Sequence, residues 1–408
     1  MKYLLLCIVL PLFALAQQTP AEKQAYANRD KYLFSTRPAQ TKFEKTIPFD
    51  SRLNKHIIIP VTIKGKTYNF ILDTGASTLV SEEMAEALKL PVLFKGNLED
   101  AAGIKKEDVF YKVSGIQIAG IDFKDVAVAA GNMKKFEHAM CRKIDGLLGV
   151  NILRSCYWKV DYVTGQLTFS DREIKPAANM YAVDFKEDFT GRPILDMYTG
   201  RYQVTMVMDT GFSGALTMRD SIYFDVRKGH ERPFRKGYGT NTVTLFNTEH
   251  EEKYMGRLDS VYLFNRHHIV LDPVVDIDNA DVFLVGNEVF KSFGEMVLDW
   301  KKHRLYLPEK VIDRKDRYSS FGFSPLWVNS KLIISVVWEG TEAHTKGLAA
   351  GMVITAVNGQ DTATITHDYW CGLIGVFGDD KPTEINISVQ DMEGKITNHT
   401  LKRTDLLR

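Results

Sequence analysis

Cysteine, charge of one sign and long apolar runs are all scarce in this chain. Its 408 residues include four cysteines, at positions 7, 141, 156 and 371. They have neither the spacing of a zinc site nor a Cys-x-x-Cys redox motif. Cys141 and Cys156 flank an apolar segment, residues 146–150. In an oxidising compartment they would bridge, and the alternative is two buried free thiols.

The charges almost cancel. Lysine and arginine number 52, aspartate and glutamate 51, and the formal net charge is +1. A chain without an excess of positive charge has no general field that attracts nucleic acid or anionic lipid. We therefore expect no nucleic-acid partner. A content of 45% hydrophobic and 25% charged residues is typical of a soluble globular protein.

The N-terminus carries an apolar run that is too short to span a membrane. Lys2 precedes a mostly apolar stretch over residues 3–13, and Ala14-Leu15-Ala16 follows it. This pattern predicts a signal peptide over residues 1–16 with cleavage after Ala16. Cys7 lies in the middle of the run, which does not suit a lipidated cysteine. We expect an exported protein without a membrane span, either periplasmic or secreted.

Several catalytic and cofactor motifs are missing. The sequence around Ser213 departs from the Gly-x-Ser-x-Gly nucleophile elbow by one place. His267 and His268 are neighbours in a predicted strand, where side chains point to opposite faces, so they do not form a shared metal site. Gly237 and Gly239 lack the third glycine of a dinucleotide loop. We expect neither a metal nor a cofactor.

The chain does contain a repeat. Residues 71–78 read Ile-Leu-Asp-Thr-Gly-Ala-Ser-Thr and residues 207–214 read Val-Met-Asp-Thr-Gly-Phe-Ser-Gly, which places Asp73 and Asp209 136 residues apart. Each Asp follows an apolar run, at the point where a strand breaks into a turn. An apolar-apolar-Gly segment follows in each copy, ending at Gly149 and at Gly286. The chain therefore consists largely of two similar units.

Two carboxyls are suited to hydrolysis of an amide without metal or covalent intermediate. One must take a proton from water while the other protonates the carbonyl oxygen. Carboxyls held close together cannot both ionise easily, so they share one proton and titrate as a pair. Glycine beside each Asp permits the close approach that this requires.

On these residues the chain resembles the retropepsin-like aspartic proteases, over about residues 48 to 310. The resemblance implies a mainly β fold with two closed, barrel-like lobes related by a pseudo-two-fold axis. It implies a polypeptide substrate and Asp73 and Asp209 as the catalytic dyad. The residues expected to support the dyad, with each Thr hydroxyl reaching across to the opposite lobe, are Thr74, Gly75, Thr210 and Gly211. Ala76 and Phe212 depart from pepsin-like enzymes, which usually carry a hydroxyl there, so we expect an outer hydrogen bond to each Asp to be missing.

Hairpin flaps over the cleft are a further implication. Residues 98–112, with the segment 100–104 at their centre, are the first candidate, and residues 236–240 are the second. Before the first flap, Ser81 is expected to cap a short helix that runs to Leu88 with two carboxylates in its first turn.

The last part of the chain resembles a PDZ domain of the bacterial type. A charge run over residues 313–317 precedes the match, which extends from about residue 318 to the end. Phe321, Gly322 and Phe323 are the best candidate for the loop that offers N–H groups to the C-terminal carboxylate of a peptide ligand. Met352 after Gly351 departs from the usual Gly-Asp. The alternative is a small β domain that only packs on the rest.

These observations predict the following division of the chain: signal peptide 1–16, N-terminal arm or linker 17–47, first protease lobe 48–175, second protease lobe 176–312 and PDZ domain 313–408. The predicted function is an exported aspartic endopeptidase, and the alternative is a non-catalytic protein that holds peptides in the same cleft. Since both Asp residues precede residue 310, we expect cleavage of short peptides to persist without the tail.

Overall fold

The computed structural model describes residues 20–49, 56–99, 105–229, 232–239, 251–263, 267–278, 282–313, 318–328, 330–378 and 382–408. Within them the chain is mainly β, as predicted. The signal peptide, the charge run at 314–317 and residues 100–104 of the first flap candidate lie outside these ranges.

The N-terminal part and the first repeat contain these elements: α1 Pro20–Asn28, a π-helical turn Arg29–Leu33, β1 Arg37–Pro38, β2 Glu44–Pro48, β3 Ile58–Ile63, β4 Lys66–Leu72, β5 Leu79–Ser81, α2 Glu82–Ala87, β6 Val92–Glu99, β7 Lys105–Val113, β8 Ile116–Ile118, β9 Ile121–Lys124, β10 Val126–Gly131, α3 Lys134–Met140, β11 Gly146–Leu148, α4 Val150–Leu153, β12 Tyr157–Asp161 and β13 Gln166–Ser170.

The second repeat contains β14 Met180–Asp184, β15 Lys186–Glu187, β16 Pro193–Thr199, β17 Tyr202–Asp209, β18 Leu216–Arg219, α5 Asp220–Val226, β19 Phe234–Gly239, β20 Glu251–Arg257, β21 Ser260–Leu263, β22 His268–Leu271, β23 Val274–Asp278, β24 Leu284–Gly286, α6 Asn287–Phe293, β25 Glu295–Asp299, β26 Arg304–Pro308 and β27 Lys310–Asp313. The C-terminal segment contains β28 Ser319–Ser320, β29 Phe323–Val328, β30 Lys331–Trp338, α7 Glu342–Thr345, β31 Val353–Val357, β32 Gln360–Asp361, α8 His367–Gly378, β33 Glu384–Gln390, β34 Ile396–Lys402 and β35 Thr404–Asp405.

Local signals explain the first elements of the repeat. Strands β3 and β4 form the predicted hairpin, and Lys64 and Gly65 at its turn both have positive φ, 48° and 81°. The predicted cap of α2 is confirmed. The Ser81 hydroxyl accepts a hydrogen bond from the Met84 N–H at 3.1 Å. Glu82 and Glu83 occupy the first turn, where negative charge interacts favourably with the positive end of the helix dipole.

A six-stranded antiparallel sheet joins the two repeats, in the order β14-β26-β25-β12-β13-β2. Its two central strands, β12 and β25, pair Tyr157 with Asp299 and Asp161 with Glu295. The outer strands occupy corresponding places, since β2 pairs with β13 and β14 pairs with β26. The predicted linker or loosely packed arm over 17–47 is therefore wrong for its last part. Strand β2 is built into this sheet, and β1 pairs with β9, because their backbone groups complete sheet edges.

The remaining strands of the first repeat form a ten-stranded sheet in the order β1-β9-β8-β3-β4-β11-β5-β10-β7-β6. In the second repeat, β16 to β18 and β20 to β24 form the pairings that correspond to those of β3 to β5 and β7 to β11. Their sheet continues into the C-terminal segment, because β19 pairs with β30, with Gly237 opposite Trp338.

The C-terminal segment is held to the second repeat by more than this strand pairing. An apolar cluster buries Met255 of the second repeat with four residues of the segment, Val336, Trp338, Leu406 and Leu407. The Arg235 side chain donates to the Leu406 carbonyl at 3.1 Å. The segment is thus packed into the second repeat.

The cysteines pair differently from either sequence-based alternative. Cys141 and Cys371 form a disulfide with their Cα atoms 5.4 Å apart. Cys156 is a buried free thiol, and burial raises its pKa to about 12. The bridge joins residues 230 positions apart, a distance at which sequence spacing gives no guide to proximity. Among the described residues, no helix is long and apolar enough to cross a membrane.

Candidate active site

The backbone brings the two Asp-Thr-Gly turns to equivalent positions. Strand β4 runs parallel to β11, with Leu72 opposite Leu148, and the Asp73 N–H donates to the Leu148 carbonyl at 3.0 Å. In the second repeat β17 runs parallel to β24, with Asp209 opposite Gly286. Each Asp therefore lies at the end of a buried central strand, whose neighbour fixes the position of the turn.

Gly149 and Gly286 permit this arrangement because no side chain would fit. A Cβ on Gly149 would lie 2.2 Å from the Ser77 carbonyl carbon, and one on Gly286 would lie 2.1 Å from the Gly214 carbonyl oxygen. Both distances are far below van der Waals contact. The apolar-apolar-Gly segments recognised in the sequence therefore pass directly against the turns that carry the aspartates.

The two threonines hold the turns together by four reciprocal hydrogen bonds. The Thr74 hydroxyl donates to the Met208 carbonyl at 2.7 Å, and the Thr210 hydroxyl donates to the Leu72 carbonyl at 2.8 Å. Each hydroxyl also accepts the N–H of the other threonine, at 3.0 and 3.1 Å. Both threonines are fully buried, so water does not compete for these bonds, and the two turns form one unit.

The carboxyls face each other across the two glycines. A Cβ on Gly75 would lie 2.5 Å from Asp209 Cγ, and one on Gly211 would lie 2.5 Å from Asp73 Oδ2. Each carboxyl thus packs directly over the glycine of the other turn. Asp73 and Asp209 are each 7% exposed, so both are nearly removed from water.

Burial and the mutual approach of the carboxyls shift both pKa values. Burial raises the pKa of Asp73 well above its usual value, and the charge of Asp209 raises it further. Burial also raises the pKa of Asp209, while N–H donors from Gly211 and Phe212 oppose the rise. The hydrogen bond between the carboxyls raises the pKa of Asp73 and lowers that of Asp209. These pKa shifts favour the proton on Asp73.

Backbone donors contribute to the difference between the two carboxyls. Asp73 Oδ1 accepts one N–H, from Gly75 at 2.8 Å. Asp209 Oδ1 accepts two, from Gly211 at 2.8 Å and Phe212 at 3.0 Å. Sequence reasoning expected an outer hydrogen bond to be missing where Phe212 replaces a hydroxyl residue. At Asp209 the Phe212 backbone N–H supplies a donor, which favours the ionised form.

Two further residues beside the dyad were not recognised from the sequence. His56 Nε2 lies 3.0 Å from the Gly211 carbonyl oxygen, and the side chain is buried. Arg192 is fixed by Asp188, whose Oδ2 accepts from Arg192 Nε at 2.6 Å, and its charge lowers the pKa of both dyad aspartates. His56 and Arg192 are separated by the same number of positions in the sequence as Thr74 and Thr210. A search of the sequence at the offset of the repeat would therefore have identified them as an equivalent pair.

The flap candidates differ in their surroundings. Arms β6 and β7 of the first form an antiparallel hairpin. In the second candidate, residues 236–240, Thr240 lies outside the described residues. The other four residues belong to β19. This strand pairs with β20 on one side and with β30 on the other. The prediction of a free second flap is therefore wrong for this strand, because both of its edges are bonded.

The predicted peptide-binding loop of the C-terminal segment precedes β29. Phe321 and Phe323 are buried, and Gly322 has φ 87° with no room for a Cβ, which would lie 2.4 Å from Thr341 Oγ1. The Gly322 N–H donates to Ser320 Oγ at 3.1 Å. One of the three N–H groups expected to bind a carboxylate is thus occupied by a hydroxyl of the same chain.

The adjacent histidines His267 and His268 do not share a site. In the part of the chain that the structure describes, no cluster of three or more metal-ligating side chains occurs. His267 pairs with Glu309 at 2.9 Å, while buried His268 bonds the Leu307 carbonyl at 2.9 Å. The two rings thus have different partners; His268 begins β22, and His267 precedes this strand instead of lying in it.

Comparison with known proteins gives a family match over part of the chain. A family model described as aspartyl protease matches residues 59–152, which include Asp73 and Gly149. No curated protein matches the chain in sequence. Among solved structures, basic 7S globulin from soybean is similar with a TM-score of 0.37 and 9% identity, over 65% of this chain and 94% of that chain. A retropepsin-like aspartic protease from Rickettsia conorii has a TM-score of 0.24 and 14% identity, over 33% of this chain and 94% of its own.

Proposed function

We propose that this chain is a two-lobed aspartic endopeptidase with Asp73 and Asp209 as its catalytic dyad. The observation that carries the proposal is the set of reciprocal bonds from Thr74 and Thr210, which hold two buried carboxyls against each other with different proton affinities. The aspartyl protease match over residues 59–152 supports the same reading. Thr74, Gly75, Thr210 and Gly211 act by positioning the carboxyls.

The geometry assigns a role to each carboxyl. Ionised Asp209 accepts a proton from a water molecule, whose oxygen attacks the scissile carbonyl carbon. Asp73 donates its proton to the carbonyl oxygen, which gives a neutral tetrahedral diol. Asp209 then returns its proton to the amide nitrogen as the C–N bond breaks, and Asp73 recovers a proton from a diol hydroxyl. One carboxylic acid and one amine result, and the dyad ends in its starting state.

The test uses the mature chain with a diverse peptide mixture from acidic to neutral pH, with cleavage detected by mass spectrometry. Asp73→Asn and Asp209→Asn should each abolish turnover, and the double variant should be no worse than the worse single one, because the carboxyls act as a unit. Asp184→Asn, on an exposed side chain, is the matched control. Binding of peptides without cleavage by the unmodified chain would instead favour a peptide-holding protein.

A peptide with a hydroxyl in place of the scissile carbonyl should inhibit, since a tetrahedral hydroxyl imitates the diol between the carboxyls. Chelators and reagents for serine or cysteine nucleophiles should have no effect. Inhibition by a chelator would contradict the dyad mechanism.

Export is a second part of the proposal. It rests on the leader-like residues 1–16, and the Cys141–Cys371 disulfide supports it, because stable disulfides are typical of proteins outside the reducing cytosol. Fractionation of cells that express the full chain, with N-terminal sequencing, should find the protein outside the cytoplasm and beginning at Gln17.

We further propose that the C-terminal segment is a PDZ-like domain that binds an extended peptide between strand β29 and helix α8. Support comes from the glycine loop that enters β29 and from ring contacts between the strand and the helix. At one end of the strand and helix pair, the ring centroids of Phe323 and Phe377 are 5.7 Å apart. At the other end, those of Trp327 and His367 are 6.4 Å apart. A peptide would add alongside β29 with its C-terminal carboxylate toward Phe321 to Phe323.

A further inference from the structure

Helix α3 of the first repeat lies at the groove between β29 and α8, which we call the C-terminal groove. The His138 ring stacks on Trp327 of β29, with centroids 4.3 Å apart. The His138 carbonyl accepts a hydrogen bond from Trp370 Nε1 of α8 at 2.7 Å. One residue of α3 thus contacts both walls of the groove, at the end formed by Trp327 and His367.

The first repeat has this helix as an addition to the repeated plan. Residues 132–145 connect β10 to β11, whereas only residues 279–283 connect the corresponding strands β23 and β24. In the second repeat, the short connection is long enough to join β23 to β24. In the first repeat, the longer connection contains α3, which contacts the C-terminal segment, so its additional residues serve a contact outside the repeat.

A covalent bond holds α3 in this position. Cys141 follows α3 directly and has a left-handed backbone with φ 50°, and it is bonded to Cys371 in α8. Both cysteines are half-buried. A segment tethered to its own binding site acts at a high effective concentration, on the order of millimolar. A free peptide has to compete with that concentration for the same space.

The groove wall also contains a buried hydrogen-bond donor that is not bonded to α3. Trp327 Nε1 is buried and has no hydrogen-bond acceptor among the described residues. An indole N–H normally finds a partner when buried. A peptide backbone that lay along β29 would bring carbonyl oxygens to this wall.

We propose that α3 is a built-in ligand of the C-terminal groove, held by the Cys141–Cys371 disulfide, and that reduction of this disulfide opens the groove to an extended peptide with a free C-terminal carboxylate. The inference rests on the proposed peptide-binding role of the C-terminal segment. The reductant is a dithiol. One of its thiolates attacks a sulfur of the bridge and displaces the other cysteine as a thiolate, and its second thiol resolves the mixed disulfide. Two protein thiols and one oxidised dithiol result.

The same helix also packs on the hairpin that is the first flap candidate. Met133 and Met140 at the two ends of α3 are buried in one apolar cluster with Leu98 and Phe110, which belong to β6 and β7. Release of α3 from the groove therefore removes a support from the hairpin. We expect reduction to change KM for a short peptide more than kcat, because the carboxyls and their threonines belong to different elements.

The experiment measures peptide binding in the full chain with Asp73→Asn, so that the probe is not cleaved. The probe is a pool of fluorescent short peptides with apolar last residues, prepared with a free carboxylate and, for comparison, amidated. Oxidised protein should bind the carboxylate pool at least about tenfold more weakly than dithiol-treated protein or a Cys141→Ser, Cys371→Ser variant. The amidated pool, which can bind only in the proposed active-site cleft, should bind both forms equally. Cys156→Ser, which removes the free thiol, should behave as the oxidised parent.

Hydrogen exchange on the same samples reports the helix itself. Exchange of the α3 amides should rise by about tenfold or more on reduction, while strands β12 and β25 stay protected. Equal peptide binding before and after reduction, unchanged protection of α3, or an opened α3 with no binding of the carboxylate pool would each overturn the proposal. Cleavage of short peptides by the protein with both aspartates is measured separately, so a failure of the proposed protease activity is distinguishable from a failure of this switch.

Discussion

At the scale of single residues, the two aspartates are chemically identical, and their surroundings make them different. Asp73 has one backbone donor and the higher proton affinity, whereas Asp209 has two donors. A hydrolytic dyad needs this division, because one partner must be an acid and the other a base at the same pH. The Phe212 N–H contributes to this division, and no change of residue type is required for it.

The raised pKa of Asp73 predicts a stability effect. A carboxyl whose pKa is higher in the folded than in the unfolded state contributes stability at low pH and loses it as pH rises through the folded value. Asp73→Asn removes this loss. The unfolding free energy of the variant should therefore exceed that of the parent increasingly from about pH 4 upward, by about 1.4 kcal/mol for each unit of pKa shift. Chemical denaturation across this range measures it, and parallel pH profiles of the two proteins would contradict it.

Arg192 predicts a shift of the pH profile of activity. Its charge lowers the pKa of Asp73 and of Asp209, so Arg192→Gln should raise both. Both limbs of the bell-shaped profile of kcat/KM should then move to higher pH, by up to about one unit. Arg304→Gln, on a half-exposed arginine that pairs with Asp184, should leave the profile unchanged. An unmoved profile in Arg192→Gln would exclude Arg192 as an influence on the dyad.

At the scale of elements, the site depends on strands that pass directly against turns. The parallel pairs β4 with β11 and β17 with β24 place backbone against backbone at Gly149 and Gly286. These glycines are needed for space, since neither has the positive φ that favours glycine. Among the described residues the two repeats differ in their additions, because the first carries α3 and the second has its hairpin paired with the C-terminal segment.

Substitution of these glycines tests the close approach. Gly149→Ala and Gly286→Ala place a Cβ 2.1 to 2.2 Å from backbone atoms, which flexible side chains cannot relieve. Each should lower the unfolding free energy by about 3 kcal/mol or more, or prevent folding. Gly372→Ala is the matched control, because nothing lies within 4 Å of its Cβ position and alanine favours a helix interior. It should raise stability by about 0.5 to 1 kcal/mol. Thermal unfolding of the three variants tests this reason. If Gly372→Ala lowered stability as much as the other two, the loss would not be due to the close approach at Gly149 and Gly286.

At the scale of the whole molecule, the C-terminal segment is joined to both repeats. Strand β30 continues the sheet of the second repeat, the disulfide reaches α3 of the first, and Trp338 lies in an apolar cluster with Met255. Removing the segment would expose that cluster and leave an edge of β19 unpaired. Exposed apolar surface and an open strand edge both favour aggregation.

Deletion after residue 312 should therefore impair cleavage of short and long peptides alike. The sequence by itself predicted that cleavage of short peptides would persist, because both aspartates precede the cut. With the structure, we expect a fall in Tm and a loss of kcat/KM of about tenfold or more on both substrate lengths. Cys141→Ser with Cys371→Ser, which leaves the segment in the chain, separates loss of the disulfide from loss of the packing. Normal cleavage of short peptides by the truncated chain would show that the segment is dispensable for the site.

The sequence by itself determined the features that depend on local order. The repeat of Asp-Thr-Gly, the hairpin into Asp73 and the cap of α2 follow from turn residues, alternation and capping, each within a few neighbouring positions. Only the tertiary structure decided the Cys141–Cys371 bridge, the pairing of β19 with β30, the approach of His56 and Arg192 to the dyad, and the place of α3 at the C-terminal groove. These contacts join residues far apart in the chain, and their energies depend on how complete elements pack, which a local pattern does not encode.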